Sequence, residues 1–164
     1  MLSSVDNLEE RARNLVLKML ERGPKSSSEL ASALEKHEIP TEIARLVIER
    51  FTEVELIDDA AFAQQVVDAS RRTRGLARSM VKRKLADKGL DAEIIDQVAS
   101  EISDEDELVV AIEVALKRLG QLAKLPPEVR NRRLIGFLQR RGFGSGIVFA
   151  AIREAEARAV KSEF

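Results

Sequence analysis

The chain is predicted to be all-α, built from three tandem three-helix repeats, helix-turn-helix-like units stacked into an elongated, curved molecule. Three observations predict this. One apolar pattern occurs three times, as Leu30, Leu34, Ile39, Ile43, Val47, then Val81, Leu85, Leu90, Ile94, Val98, then Leu134, Leu138, Phe143, Ile147, Ala151. The copies lie 51 and then 53 residues apart, and a period near fifty marks stacked helical units. No stretch alternates every second residue as a half-buried strand would. Finally, 45% apolar and 34% charged residues, with only eight Gly and four Pro, suit amphipathic helices rather than disorder.

The elements follow in order. Residues 1–11 are expected to be an N-terminal tail, and residues 12–57 the first repeat. Ala12, Leu15, Val16, Met19 and Leu20 step by three and four along one helix face. Gly23 and Pro24 stop that helix. Ser26 to Ser28 offer caps for a helix carrying Leu30, Ala33 and Leu34. Pro40 suits the first turn of a third helix with Ile43, Leu46, Val47 and Phe51. The second repeat, 58–103, opens with Asp58 as a cap, then Phe62, Val66 and Val67. Gly75 ends its first helix, Gly89 its second, and Asp91 caps its third. The third repeat, 104–164, starts after Ser103. Its first helix bears Val109, Ile112, Leu116 and Leu119, and Pro126-Pro127 start the next. Gly142, Gly144 and Gly146 precede a last helix with Ile147, Val148, Ala151 and Ile152. A three-helix unit of this size is marginal alone, so neighbouring repeats must bury one another's remaining faces.

Charge is sorted into blocks beneath a net of −1. Residues 1–70 carry eight basic and fourteen acidic side chains, and residues 71–164 nineteen and fourteen. Residues 71–88 hold eight cations against Asp87 alone, whereas 89–116 hold nine acids and no Lys or Arg. On a helical wheel Arg78, Lys82 and Arg83 fall at about 0°, 40° and 140°, away from Val81 and Leu85 near 300° and 340°. Arg71, Arg72 and Arg74 lead into that helix, and Lys84 and Lys88 extend it. Arg130, Arg132, Arg133, Arg140 and Arg141 repeat the theme in the third repeat. Guanidinium forks and ammonium points suit phosphate oxygens. The alternative is a solvated face paired with the acidic 89–116 block. Phe137 and Phe143 are the only aromatics nearby, so contact with a nucleic-acid backbone, sensitive to salt, is expected rather than base stacking.

Other chemistry is not supported. There are no cysteines, hence no disulfide, thiolate nucleophile or Cys-bound zinc. The single histidine, His37, has no triad or metal pattern around it and is expected at an exposed turn. Residues 142–146 follow a helix, not a strand, and lack the Lys of a nucleotide loop. The acids 104–107 fit a first helical turn better than a cation loop. No catalytic residue, metal or cofactor is expected. No run of about 18 apolar residues and no signal-peptide core is found, so a cytoplasmic protein without membrane association is expected.

Four segments carry a family resemblance. Leu56-Ile57-Asp58-Asp59-Ala60-Ala61-Phe62-Ala63, Arg71 to Gly75, and Lys84-Leu85-Ala86-Asp87-Lys88-Gly89-Leu90 resemble the central signature of the RecX family, bacterial regulators of the recombinase RecA. Phe137-Leu138-Gln139-Arg140-Arg141-Gly142-Phe143 is similar to the family's C-terminal motif, and the likeness spans residues 12–157. A monomer is expected, and the resemblance implies a modular helical protein that binds the RecA–single-stranded-DNA filament and damps its ATP hydrolysis and strand exchange. It carries over to Arg71, Arg72, Arg74, Arg78, Lys82, Lys84, Arg140 and Arg141. The first repeat departs from the family, because Ser28 to Leu34 holds no cation and His37-Glu38-Ile39-Pro40 replaces a Gly turn. That departure favours protein contact there. A helix-turn-helix transcription regulator and a protein-only scaffold are the alternatives.

Overall fold

The computed structural model describes residues 3–162, which form nine α-helices with no strand among them. They are α1 (Ser4–Glu21), α2 (Ser27–Lys36), α3 (Thr41–Glu53), α4 (Asp59–Arg72), α5 (Arg78–Asp87), α6 (Ala92–Ser100), α7 (Asp104–Gln121), α8 (Pro127–Arg140) and α9 (Ser145–Ser162). Two compact units result. One holds the described residues up to Gln65 together with Leu85–Ile95, the other Val66–Lys84 together with the described residues from Asp96 onward. The first unit has its core in Ala12, Val16, Leu30, Leu34, Val47 and Phe51. The core of the second includes Ala111, Ala115, Leu134, Leu138, Val148 and Ala151.

The repeated pattern is the core, with one correction. In each copy the first, second, third and fifth positions are buried, while the fourth, Ile43, Ile94 or Ile147, is only half-buried. The residue after it, Ala44, Ile95 or Val148, is buried instead. In α3 and α6 the inward face is therefore shifted toward the following residue by less than the 100° of one position, since Val47 and Val98 stay buried, and in α9 Val148 is already among the residues expected on the core face. In α7, Val109 is 54% exposed, because it lies about 120° around the helix from Ala115, the middle of the stripe of Ala111, Ala115 and Leu119. The expected N-terminal tail is helical from Ser4. Ser3 and Asp6 close a capping box there, satisfying backbone donors that apolar periodicity cannot reveal.

One turn geometry joins the second and third helices of every repeat. Ile39, Leu90 and Phe143 each donate a backbone N–H to the carbonyl five residues back, at Leu34, Leu85 and Leu138. The preceding residue has positive φ in each case: Glu38 at 60°, Gly89 at 77° and Gly142 at 95°. Glycine is needed only in the later two. A Cβ on Gly89 would lie 2.1 Å from Ser28 Oγ, and one on Gly142 would lie 2.4 Å from Met80 Cγ and 2.7 Å from Ser79 Oγ. The turn of one repeat thus sits against the middle helix of the repeat before it. Glu38 belongs to the first repeat and is exposed, so a side chain fits there.

The contact is completed by a carboxylate supplied from the next repeat. In the first unit Asp59, opening α4, accepts the backbone N–H of Ser27 at 2.8 Å and the Ser27 hydroxyl at 2.5 Å. Buried Ser26 donates its hydroxyl to the Lys88 carbonyl at 3.1 Å. In the second unit Glu107 of α7 accepts the backbone N–H of Arg78 at 2.8 Å. There Ala77 N–H donates to the Arg141 carbonyl at 3.1 Å, and Ser79 Oγ to that of Gly142 at 2.7 Å. Ser27 and Arg78 are each the first residue of a middle helix, where N–H groups have no partner in their own helix and negative charge is favoured.

Candidate nucleic-acid interface

The expected cations fall into groups with different surroundings. Arg71 and Arg78 are tied into the chain. The Arg71 guanidinium donates to Glu107 at 2.5 Å, with side chains only 11% and 8% exposed. Arg78 donates to the Ile102 carbonyl at 2.6 Å and to Asp104 at 3.0 Å, so its guanidinium is engaged within the chain although the side chain is 37% exposed. The reason is local: the start of α5 lies against the start of α7, whose acids reach it. Lys82 stands 3.5 Å from Asp96. The sequence-level alternative, cations paired with the acidic 89–116 stretch, is thus realised at Arg71, Arg78 and Lys82.

These pairs differ in weight. Lys82–Asp96 is exposed on both sides, a type worth about 0–1 kcal/mol, and leaves Lys82 open to other anions. Arg71–Glu107 is buried, and Glu107 neutralises Arg71 while capping α5. Arg83, Arg132, Arg133 and Arg140 are exposed, and Lys84 and Arg130 are half-buried. Lys88 belongs to the other unit, with its ammonium 3.8 Å from Glu29 and 5.7 Å from the centre of the Phe62 ring.

Arg72, Arg74 and Arg141 meet at a different place. Residues 73–77 run from α4 into α5 and close over α7 and α8, enclosing a concavity of about 410 Å³. Gly75 makes the approach possible: its φ is +59°, and a Cβ there would meet Val114 Cγ2 at 2.3 Å. Arg141 donates to the Arg74 carbonyl, which draws the end of α8 to this loop. Sequence reasoning missed two members of the group, Lys117 and Arg118 of α7. They follow directly on the acidic block, and the only signal for them was their place on the helix that bears the third repeat's first core stripe. Arg118 and Arg141 hold Phe137 between them, at 4.8 and 4.6 Å from the ring centre.

Among the described residues no helix is long and apolar enough to cross a membrane. His37 is exposed at the end of α2, and the acids 104–107 fill the first turn of α7 behind a Ser103–Asp106 capping box.

Comparison with known proteins accounts for the repeat plan. Family models match residues 12–51, 58–98 and 104–152, described as the first, second and third three-helix domains of RecX. The regulatory protein RecX of Thermobifida fusca is 37% identical over 160 residues, covering 97% of this chain and 86% of that protein. Its counterpart in Streptomyces coelicolor is 40% identical over 146 residues, 89% of this chain and 78% of the other. The crystal structure of RecX from Lactobacillus salivarius superposes with a TM-score of 0.82 at 18% identity, covering 92% of this chain and 98% of that one, a likeness of fold. With three consecutive domain matches and relatives aligned along most of its length, the chain belongs to the RecX family of regulatory proteins.

Proposed function

We propose that this chain regulates homologous recombination and DNA repair by binding, as a cytoplasmic monomer, the filament that RecA forms on single-stranded DNA. Binding inhibits the filament's ATP hydrolysis and strand exchange. Family membership supports the partner. The observation that carries the DNA contact is the set of exposed cations Arg72, Arg74, Lys82, Arg83, Arg132, Arg133 and Arg140 in one of the two units. Guanidinium and ammonium groups at this density, with little aromatic surface, take up backbone phosphates and release counterions, so affinity falls steeply with salt. The first unit, whose middle helix α2 carries Lys36 as its only cation, is assigned to protein contact.

The test is the ATPase rate of cognate RecA filaments on single-stranded DNA as this protein is titrated in. Inhibition is expected, and inhibition at substoichiometric ratios would place its action at filament ends, whereas inhibition only near saturation would mean groove coating. A fully helical protein that leaves the rate unchanged at saturation would contradict the proposal. Reversing Lys82 and Arg83 to Glu should weaken inhibition without loss of helicity, and unchanged inhibition would remove α5 from the interface.

A further inference from the structure

The concavity between residues 73–77, α7 and α8 has properties that a solubilising surface does not need. Six cations line it: Arg71, Arg72, Arg74, Lys117, Arg118 and Arg141. Glu113 is the single acid on its wall, and Glu107 behind it already holds Arg71. Like charges gathered around one hollow repel each other, and the repulsion is least screened where the groups leave solvent.

Two of these side chains also carry donors with nothing to donate to. Arg118 Nε and Arg71 Nη2 are buried and have no hydrogen-bond partner among the described residues. A buried N–H left unpaired is costly, and one on a guanidinium more so. Other parts of each guanidinium are engaged. Arg71 is held by Glu107 and the Leu76 carbonyl, and Arg118 by Gln121 at 2.8 Å and the face of Phe137. Guanidiniums that line a hollow and hold spare N–H groups suit a multidentate oxyanion.

We infer that this concavity is a discrete phosphate-binding site, in which Arg118 and Arg71 turn slightly so that Nε–H and Nη2–H reach phosphoryl oxygens while Arg72, Arg74 and Lys117 at the exposed rim supply charge. The occupant is a phosphodiester of the bound single strand. That source rests on the function proposed above, whereas the site itself does not, since free phosphate presents the same oxygens. Its volume of about 410 Å³ suffices for one phosphate with part of its sugar and lies at the lower end of the volumes of ligand pockets.

The experiment follows the arginine Nε–H resonances of the full chain by NMR, with sodium phosphate in one titration and oligo-dT in another, at constant ionic strength with chloride as control. Arg118 Nε–H should shift with phosphate and with oligo-dT but not with chloride. Arg74→Gln and Lys117→Gln, both at exposed positions, should each raise the phosphate Kd about tenfold or more. Arg132→Gln, outside the concavity, should leave it unchanged. A shift with phosphate but no binding of oligo-dT would uphold the site and contradict the strand as its source. Tight binding of oligo-dT with no movement of Arg118 Nε–H in either titration would overturn the site while leaving the proposed DNA contact standing. Phosphate affinity that is equal in the Arg74→Gln, Lys117→Gln and Arg132→Gln variants would overturn it too.

Discussion

The two units solve one problem, seating a repeat on its predecessor, with the same backbone and different charge. In the first, Asp59 caps α2 by gripping Ser27, a neutral residue, and Gly89 presses against Ser28. In the second, Glu107 caps α5 at Arg78 and must also neutralise Arg71, while Gly142 presses against Ser79. The geometry is common to both junctions, and the cations stand in one of them. There Glu107 holds the Arg71 guanidinium and the Arg78 backbone, and the Arg78 guanidinium is held by Ile102 and Asp104. The neighbouring cations at Arg72, Arg74 and Arg83 were left facing solvent.

The largest effect should come from separating the cap from the charge. Glu107→Ala strands the Arg71 guanidinium at an 11%-exposed position and uncaps α5, and should cost about 3–5 kcal/mol in urea unfolding. Asp59→Ala removes only a cap and should cost about 0.5–2 kcal/mol. Equal costs would mean that Arg71 finds another partner and that the junctions do not differ in charge.

Next come the turns. Gly89→Ala and Gly142→Ala should each destabilise by at least about 1–2 kcal/mol from positive φ alone, with the clashes against Ser28 and Met80 adding to it. Glu38→Gly, at the equivalent turn with nothing packed on it, should do the reverse and stabilise by up to about 1 kcal/mol. Thermal melts of the three variants check the sign at each turn.

The smallest effect is one in which the units should agree. The Asp6 carboxyl is held below the usual carboxylate range by the Ser3 side chain and backbone, and the Asp106 carboxyl by the Ser103 backbone and side chain. A depressed native pKa stabilises fully above the ordinary value near 4 and is lost as pH falls through the lowered one. Asp6→Asn and Asp106→Asn should therefore lower the melting temperature slightly at pH 7, and each difference from the parent should vanish well below pH 4. A difference that persists at low pH in one variant would mean that its cap acts through something other than the carboxylate.

The fold was legible because burial is periodic. Leu30, Leu34, Val81, Leu85, Leu134 and Leu138 announce the middle helices, and all six are buried as expected. The shift of the inward face in α3 and α6 was not legible, since Ile43-Ala44 and Ile94-Ile95 are apolar pairs in which either member could face inward, whereas Val148 of α9 could be read. Of the candidate interface, the density of cations could be read but not their employment. Arg71 and Arg83 look alike in sequence, and only the approach of α7 decides that one meets Glu107 and the other solvent. Lys117 and Arg118 were hidden because their neighbours in space, Arg74 and Arg141, are far away in sequence.

The claim that nucleic acid is met by one unit and not the other is tested most directly by oligo-dT affinity across a salt series. Lys82→Glu/Arg83→Glu, in the second unit, is compared with Lys18→Glu/Lys36→Glu, exposed cations of the first. The second-unit variant should bind more weakly at every salt concentration and show a shallower slope of log K against log salt, while the first-unit variant matches the parent. Equal losses in the two variants, or a loss confined to the first unit, would contradict the account.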